Sequence, residues 1–407
     1  MITYQEAQQM IIKYARPLKA IEQLIENSLG FILASDIKSP ADSPSFNNSA
    51  MDGFVLKSKD TISASIRKPV SLMICGSIRA GSTRNMSLKP GHAFRIMTGA
   101  PIPKGADAVL EKENAKIQNG SLWVIKSIRK GRHIRRQGEE IAKKEAIRLK
   151  GSVVTPGVIG FLSGLGVARV RVTQKPKVSL IATGDEIISS GKKPMRGQIY
   201  DSNTPMLTAA LKALTIIPQY ARRVADKKEA LRGALSRAMR TSDLVILTGG
   251  VSVGDYDHVK EVFKDLGVQT LFWRVRQKPG KPIFFGKKGA ALIFGLPGNP
   301  AAVHACFYQY VYPAIRLLMG HRQAFMPNEG IALKHEVRPD REKTLFLKAM
   351  VDRSQEIHRC EALGHQGSHM LSSLCRSHGF IVVPPGNKVL KKGAHIRFQY
   401  LPGELPR

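Results

Sequence analysis

The sequence predicts a multidomain α/β protein: a central three-layer α/β domain accompanied by a β-rich region and a terminal all-β domain. Three observations carry this. The chain has 407 residues, too many for a single hydrophobic core. Between residues 177 and 325, apolar strand-like runs alternate with helical stretches, the pattern of a parallel sheet covered on both faces. On either side of that region the texture changes to short β-type runs broken by Gly and Pro.

Taken in order, Thr3-Tyr-Gln-Glu6 is a capping box, and Ala7, Met10, Ile11 and Tyr14 follow at helical spacing. Residues 1 to about 40 read as helix, turn, helix. Short strands then run to about 140, as in Gly91–Met97. Val158–Leu165 reads as a short helix and Val167–Val172 as an alternating strand. In the α/β region the strand candidates are Val178–Ala182, Leu244–Leu247 and Ala291–Phe294, with helices near 204–214, 227–240, 256–265 and 299–318. From about 328 onward the chain returns to short strands, ending in Lys391–Phe398.

Composition narrows the class. With 43% apolar and 23% charged residues the chain is globular rather than disordered. Its 63 Lys and Arg against 31 Asp and Glu give a net charge of +32. The positive residues are spread along the chain and no nucleic-acid motif accompanies them, so specific nucleic-acid binding is not expected. Instead, a general basic bias draws in anionic substrates. The four cysteines lack CxxC spacing, which fits a reducing compartment. No apolar run is long enough to span a bilayer and the start is no signal peptide, so a cytoplasmic location is expected.

Each central strand candidate ends in a glycine-containing turn: Ala182–Ile187 (ATGDEI), Thr248–Asp257 (TGGVSVGDYD) and Phe294–Pro300 (FGLPGNP). Carboxyl ends of strands form the ligand crevice of an open α/β sheet, so these turns meet there. Asp255 could simply cap the following helix. Asp185 and Glu186 are adjacent acids at a strand end, which repel unless something positive lies nearby. Hard carboxylate oxygens on neighbouring loops suit Mg²⁺, which joins one or two carboxylates to substrate phosphates. Lys278 and Lys281, on a turn stiffened by Pro279 and Pro282, can pin a phosphate or another oxyanion as point charges. His358, Cys360, His365 and His369 lie close in sequence, but their spacing fits no closed zinc template.

Seven ordered motifs together resemble the molybdopterin molybdenumtransferase family, which includes MoeA and the gephyrin E domain. Three are Asn48–Phe54 (NSAMDGF), Arg95–Pro103 with Gly105–Ala108 (RIMTGAPIP, GADA) and Thr183–Glu186 (TGDE). The others are Gly197–Asn203 (GQIYDSN), Thr248–Asp257, Lys278–Lys281 (KPGK) and Gly295–Pro300 (GLPGNP). The match runs from the first helix to the last strand. The resemblance implies four domains: residues 1–45 with 141–176, an inserted β-rich domain 46–140, a MogA-like molybdopterin-binding α/β domain 177–327, and a C-terminal β-barrel 328–407. It also implies a homodimer with each active site between subunits. The implied reaction inserts molybdate into adenylylated molybdopterin, releasing AMP with Mg²⁺ assistance.

The family's functional positions fall on Asp52, Thr98, Glu186, Asp226 and Asp257, and on Lys278, Lys281, Pro297 and Pro300. Glu186 and Asp257 are assigned to the metal and pyrophosphate, Lys278 and Lys281 to molybdate. Asp52 and Thr98 complete the cleft from the partner subunit; without the resemblance, Asp52 reads as a turn residue. Thr183, Gly184, Gly249, Gly250, Ser252 and Ser368 complete the substrate-binding set. Two departures stand out: Glu140 replaces the usual Asp of a Gly-Glu-Asp motif, and Lys348 stands where an arginine is common. Lysine keeps the charge and loses the two-pronged grip. The molybdopterin adenylyltransferase and molybdoenzyme chaperones are the partners implied. Adenylylation itself and a scaffolding role are the competing functions.

Overall fold

A computed structural model describes residues 1–250, 258–354 and 357–403. The first helix, Tyr4–Tyr14, starts at the capping box: Thr3 Oγ1 accepts the Glu6 N–H at 3.2 Å and Glu6 Oε2 accepts the Thr3 N–H at 2.7 Å. Tyr4, Ala7 and Ile11 form its buried face. The Tyr4 ring meets Phe346 edge-on at 5.0 Å, and its hydroxyl donates to Gln309 Oε1 at 2.8 Å. One helix thereby ties the α/β region to the C-terminal strands.

The second helix expected before residue 40 is not there. Ala20–Leu24 is a strand, antiparallel to Arg169–Thr173, whose other edge takes Ile32–Leu33. Its alternating exposure fits a half-buried strand, and pairing with a segment almost 150 residues away in sequence overrides the local helical preference. Between these paired segments lies a six-stranded sheet, in the order Ala108–Glu111, Gly53–Leu56, His92–Ile96, Val70–Ile78, Ser121–Val124, Lys116–Gln118.

The central sheet has the order Tyr220–Val224, Val178–Thr183, Leu244–Thr248, Ala291–Leu296, Phe284–Lys288, Gln269–Trp273. The first four strands are parallel; Phe284–Lys288 turns the sheet antiparallel. Val178–Thr183, Leu244–Thr248 and Ala291–Leu296 are buried at every position, as strands covered on both faces must be. Leu180, Ile246 and Phe294 pack toward Leu207, Leu211 and Val303 on one side. Ile181, Leu247 and Ile293 pack toward Leu231, Leu235 and Val262 on the other. The period of two along each strand makes the three layers.

Near the C-terminus, Thr344–Asp352 pairs with both Arg359–Ala362 and Gly379–Val383, closing a five-stranded barrel with Asn328–Leu333 and His395–Tyr400. Gln277–Lys278, from the α/β region, adds to this barrel in parallel with Thr344–Leu345. No helix among the described residues is long and apolar enough to cross a membrane.

Candidate active site

The parallel strands Val178–Thr183, Leu244–Thr248 and Ala291–Leu296 end side by side, and their turns line a crevice of about 400 Å³. Thr183, Gly184, Glu186, Asp226, Gly249, Gly250, Pro297 and Pro300 are among the residues of its wall. Backbone geometry requires the glycines here. Gly249 has φ of +87°, and a Cβ on it would run into the Thr183 carbonyl. Gly184 has φ of +141°, and a Cβ there would sit 2.6 Å from a Glu186 carboxylate oxygen.

The adjacent acids separate. Asp185 Oδ1 accepts the Asp226 N–H at 3.3 Å, whereas Glu186 lines the crevice. Asp226 accepts a hydrogen bond from Thr183 Oγ1 at 3.3 Å. Glu186 and Asp226 both line this one crevice, and their carboxylates are the hard oxygen donors that Mg²⁺ takes together with phosphate oxygens. Among the described residues no group of three or more His, Cys, Asp or Glu is placed to hold a metal. Ser252, Asp255 and Asp257 lie outside the described residues.

Asn203 is a crevice residue that the sequence reading missed, although it ends a quoted motif. Its Nδ2 donates to Thr248 Oγ1 at 3.1 Å and to the Gly298 carbonyl at 2.8 Å. Thr248 Oγ1 in turn donates to the Pro297 carbonyl at 3.2 Å. Two of the three turns are thus locked together by one hydrogen-bond network, buried at Thr248 and opening toward solvent at Gly298.

A second lobe of about 420 Å³ opens beside the first, and Pro282, Pro297 and Asn299 line both. Lys278, Lys281, Lys343 and Ser368 line this lobe. Its turn is rigid because Gln277 is buried beneath it, 1% exposed. Gln277 Nε2 donates to the carbonyls of Pro279 and Gly280, both at 3.1 Å, and Gln277 Oε1 accepts the buried Tyr310 hydroxyl. On the barrel side, Asn299 Nδ2 donates to Ser368 Oγ at 3.0 Å, and the Ala301 N–H donates to the Ser368 carbonyl at 3.0 Å.

Lys348 does not line the lobe. It is 3% exposed, with Nζ donating to the carbonyls of Gly367 at 3.3 Å and Met370 at 3.4 Å. Gln366 braces the same loop through the Lys348 and Leu363 carbonyls. Burial pushes the Lys348 amine below its ordinary pKa. Burial, aided by the positive Lys348, holds the His304 imidazole down at about 4. Glu140, the other departure, accepts the Ser43 hydroxyl at 2.6 Å and lines neither lobe.

Asp52 and Thr98 form a separate pair that lines neither lobe. Asp52 Oδ1 accepts both the Thr98 N–H and the Thr98 hydroxyl, each at 2.7 Å. The Thr98 N–H, then its hydroxyl, holds the Asp52 carboxyl below the usual carboxylate range. Gly53 and Ile96, the neighbouring sheet partners, set the two residues opposite each other. Glu111 faces Gly53 from the next strand, bonded to Arg132 at 2.5 Å. Met51 and Met97, the residues next to the pair in the chain, are exposed.

Comparisons with known proteins cover nearly the whole chain. Family models match along the chain: MoeA N-terminal region (domain I and II) at residues 2–166, Probable molybdopterin binding domain at 179–317, and MoeA C-terminal region (domain IV) at 331–401. Molybdopterin molybdenumtransferase 2 of Mycobacterium tuberculosis (strain CDC 1551 / Oshkosh) is 32% identical over 391 residues, covering 94% of this chain and 96% of that protein. The chain belongs to the molybdopterin molybdenumtransferase family. Molybdopterin molybdenumtransferase of Bacillus subtilis (strain 168) is 33% identical over 378 residues, covering 92% of this chain and 88% of its own length. Among solved structures, the molybdopterin biosynthesis MoeA protein of Pyrococcus horikoshii OT3 superposes with a TM-score of 0.84 at 26% identity, covering 98% of this chain and all of that one. The fold of that MoeA protein is therefore shared over 98% of this chain, and the crevice lies within the matched molybdopterin-binding region.

Proposed function

We propose that this chain inserts molybdate into the dithiolene of adenylylated molybdopterin and releases AMP, as a cytoplasmic Mg²⁺-dependent transferase. The observation that carries the reading is the continuity of the two lobes across Pro282, Pro297 and Asn299. A pterin whose phosphates face Glu186 and Asp226 then has its reactive end directed toward Lys278 and Lys281. Mg²⁺ at the two carboxylates would neutralise the pyrophosphate charge. The chain's own residues do the rest. Backbone amides of the Gly184 and Gly249–Gly250 turns supply donors to phosphate oxygens. The locked Lys278–Lys281 turn holds molybdate, a tetrahedral dianion, in place before reaction, so that little reorganisation is needed. Asn203 keeps the Thr248 and Pro297 turns at a fixed separation.

The Asp52–Thr98 pair belongs to the same reading as a contribution from a second copy of the chain. Its preformed hydrogen bonds and the exposed methionines on either side of it, Met51 and Met97, support a role at an interface rather than in open solvent. Mixed dimers of Asp52→Ala and Glu186→Ala chains should regain activity at one of two sites; failure to complement would reject the shared cleft. For the reaction, purified protein is incubated with adenylylated molybdopterin, Mg²⁺ and molybdate, and AMP and active cofactor are measured. Intact substrate after prolonged incubation overturns the proposal, and AMP formation only from ATP and free molybdopterin would mark an adenylyltransferase instead. Acceptor chaperones and the adenylyltransferase are the partners this reading implies.

A further inference from the structure

The inserted β domain carries two adjoining hollows that the reaction leaves unused. The first, of about 510 Å³, lies between the turn Ala64–Arg67 and the pair Ile125–Lys126. Ser65 and Lys68 close this turn through backbone hydrogen bonds of 3.0 and 3.2 Å, and the turn holds Ile66 out in solvent, 81% exposed. Nearby in the chain, Ile62 is 71% exposed. The second hollow, of about 230 Å³, is lined by Leu110, Val124 and Ile128 together with Asn114 and Arg132. Ile125 and Lys126 belong to both, which joins them. The Ile128 N–H donates to Thr61 Oγ1 at 2.9 Å, fixing one wall against the other.

The backbone here suits an extended occupant. Ser121–Val124 pairs with Val70–Met73 along its whole length, but its pairing with Lys116–Gln118 stops at Trp123. Val124 therefore has no partner strand on that side, and an added segment can continue the sheet there. The charge suits an acidic one. Segments 57–69 and 112–132 hold ten Lys and Arg against two acids, Asp60 and Glu113, and Asp60 is taken by the Gly91 N–H at 2.8 Å. Arg67 and Lys126 are exposed on the wall of the first hollow.

We propose that this face of the inserted domain docks an extended acidic peptide segment of a partner protein. Its apolar side chains fill the two hollows, and its carboxylates meet Arg67 and Lys126. A nucleic acid or a lipid surface would use the cations and leave the concave apolar walls empty, so a peptide fits better. Ile66 lies beyond the Ser58–Thr61 turn that follows strand Gly53–Leu56, at the end away from Asp52. A partner held there is tethered without entering either lobe of the crevice.

Fluorescence anisotropy of the full-length protein with a fluorescein-labelled peptide, Glu-Leu-Asp-Ile-Glu-Leu-Asp, tests this. Reversing two rim charges in Arg67→Glu/Lys126→Glu should weaken binding about tenfold. Ile66→Ser should weaken it about threefold, the scale of one apolar contact. Lys391→Glu/Lys392→Glu makes the same change in net charge on the barrel and should stay within about twofold of wild type, since distant charges are screened. Ile66, Arg67 and Lys126 are exposed, so melting temperatures and cofactor formation from free substrates should not change. Serine in place of Leu and Ile in the peptide should abolish binding. The proposal is overturned if wild type does not bind the peptide, if the serine peptide binds equally, or if both double variants weaken binding alike. Competition by oligothymidine, or by phosphatidylglycerol vesicles, that outdoes the peptide and depends on Arg67 and Lys126 would also overturn it and mark a polyanion surface.

Discussion

At the strand ends, the crevice is built from backbone: glycine turns with positive φ, a threonine–asparagine network, and two carboxylates facing inward. Against the barrel, the adjoining lobe is built from side-chain cations on a turn clamped by one buried glutamine. The first lobe depends on conformations that other residues adopt only with strain. The second depends on where two regions far apart in sequence meet. Damage should therefore spread differently: backbone changes in the first lobe disturb stability and function together, whereas charge changes in the second affect function alone.

The largest expected effect is on the charges. Lys278→Ala and Lys281→Ala should each lower the rate of cofactor formation about a hundredfold, the usual consequence of removing one positioned electrostatic group. Their melting temperatures should match wild type, because both ammonium groups lie at the lobe wall. Unfolding of either variant at lower temperature would break the contrast. Gln277→Met comes next. It leaves the Pro279 and Gly280 carbonyls and the Tyr310 hydroxyl without their partner, at a cost of about 2 kcal/mol in urea denaturation. Activity should fall with stability, showing that the lysine turn relies on its buried clamp. Gly249→Ala tests the other lobe. A non-glycine residue at positive φ costs about 1–2 kcal/mol, and contact with the Thr183 carbonyl adds to it. A variant with normal stability and normal activity would show that the turn is looser than its geometry.

The same contrast explains what could be read from sequence. Val178–Thr183, Leu244–Thr248 and Ala291–Leu296 were legible because strands buried on both faces are continuous apolar runs, and their glycine turns mark where a ligand crevice opens. Thus Glu186, Gly249 and Pro297 could be placed together from local pattern. Ala20–Leu24 was misread because its pairing partner, Arg169–Thr173, is distant in the chain. Phe284–Lys288 and Gln269–Trp273 escaped because an antiparallel extension follows from topology rather than periodicity. Lys343 escaped for a similar reason: only the junction of Thr344 with Gln277 brings it beside Lys278. Lys348 was expected at the oxyanion and instead braces the Ser368 loop from behind, which exposure alone reveals.

The smallest predicted effect concerns the third element, outside both lobes. Thr98→Val removes the hydroxyl that donates to Asp52 but keeps the Thr98 N–H, the larger of the two influences on that carboxyl. The Asp52 resonance followed by NMR should therefore titrate at higher pH in the variant, though still below an ordinary aspartate. A carboxyl whose folded value is depressed favours the folded state above the unfolded value and loses that contribution as pH falls through the folded one. Wild type should consequently lose slightly more stability than Thr98→Val between pH 4 and more acidic conditions, about the ordinary aspartate value. If Asp52 titrates identically in both proteins, the hydroxyl contact is absent in solution. The pair would then owe its geometry to the Thr98 N–H bond and the strand register of Gly53 and Ile96.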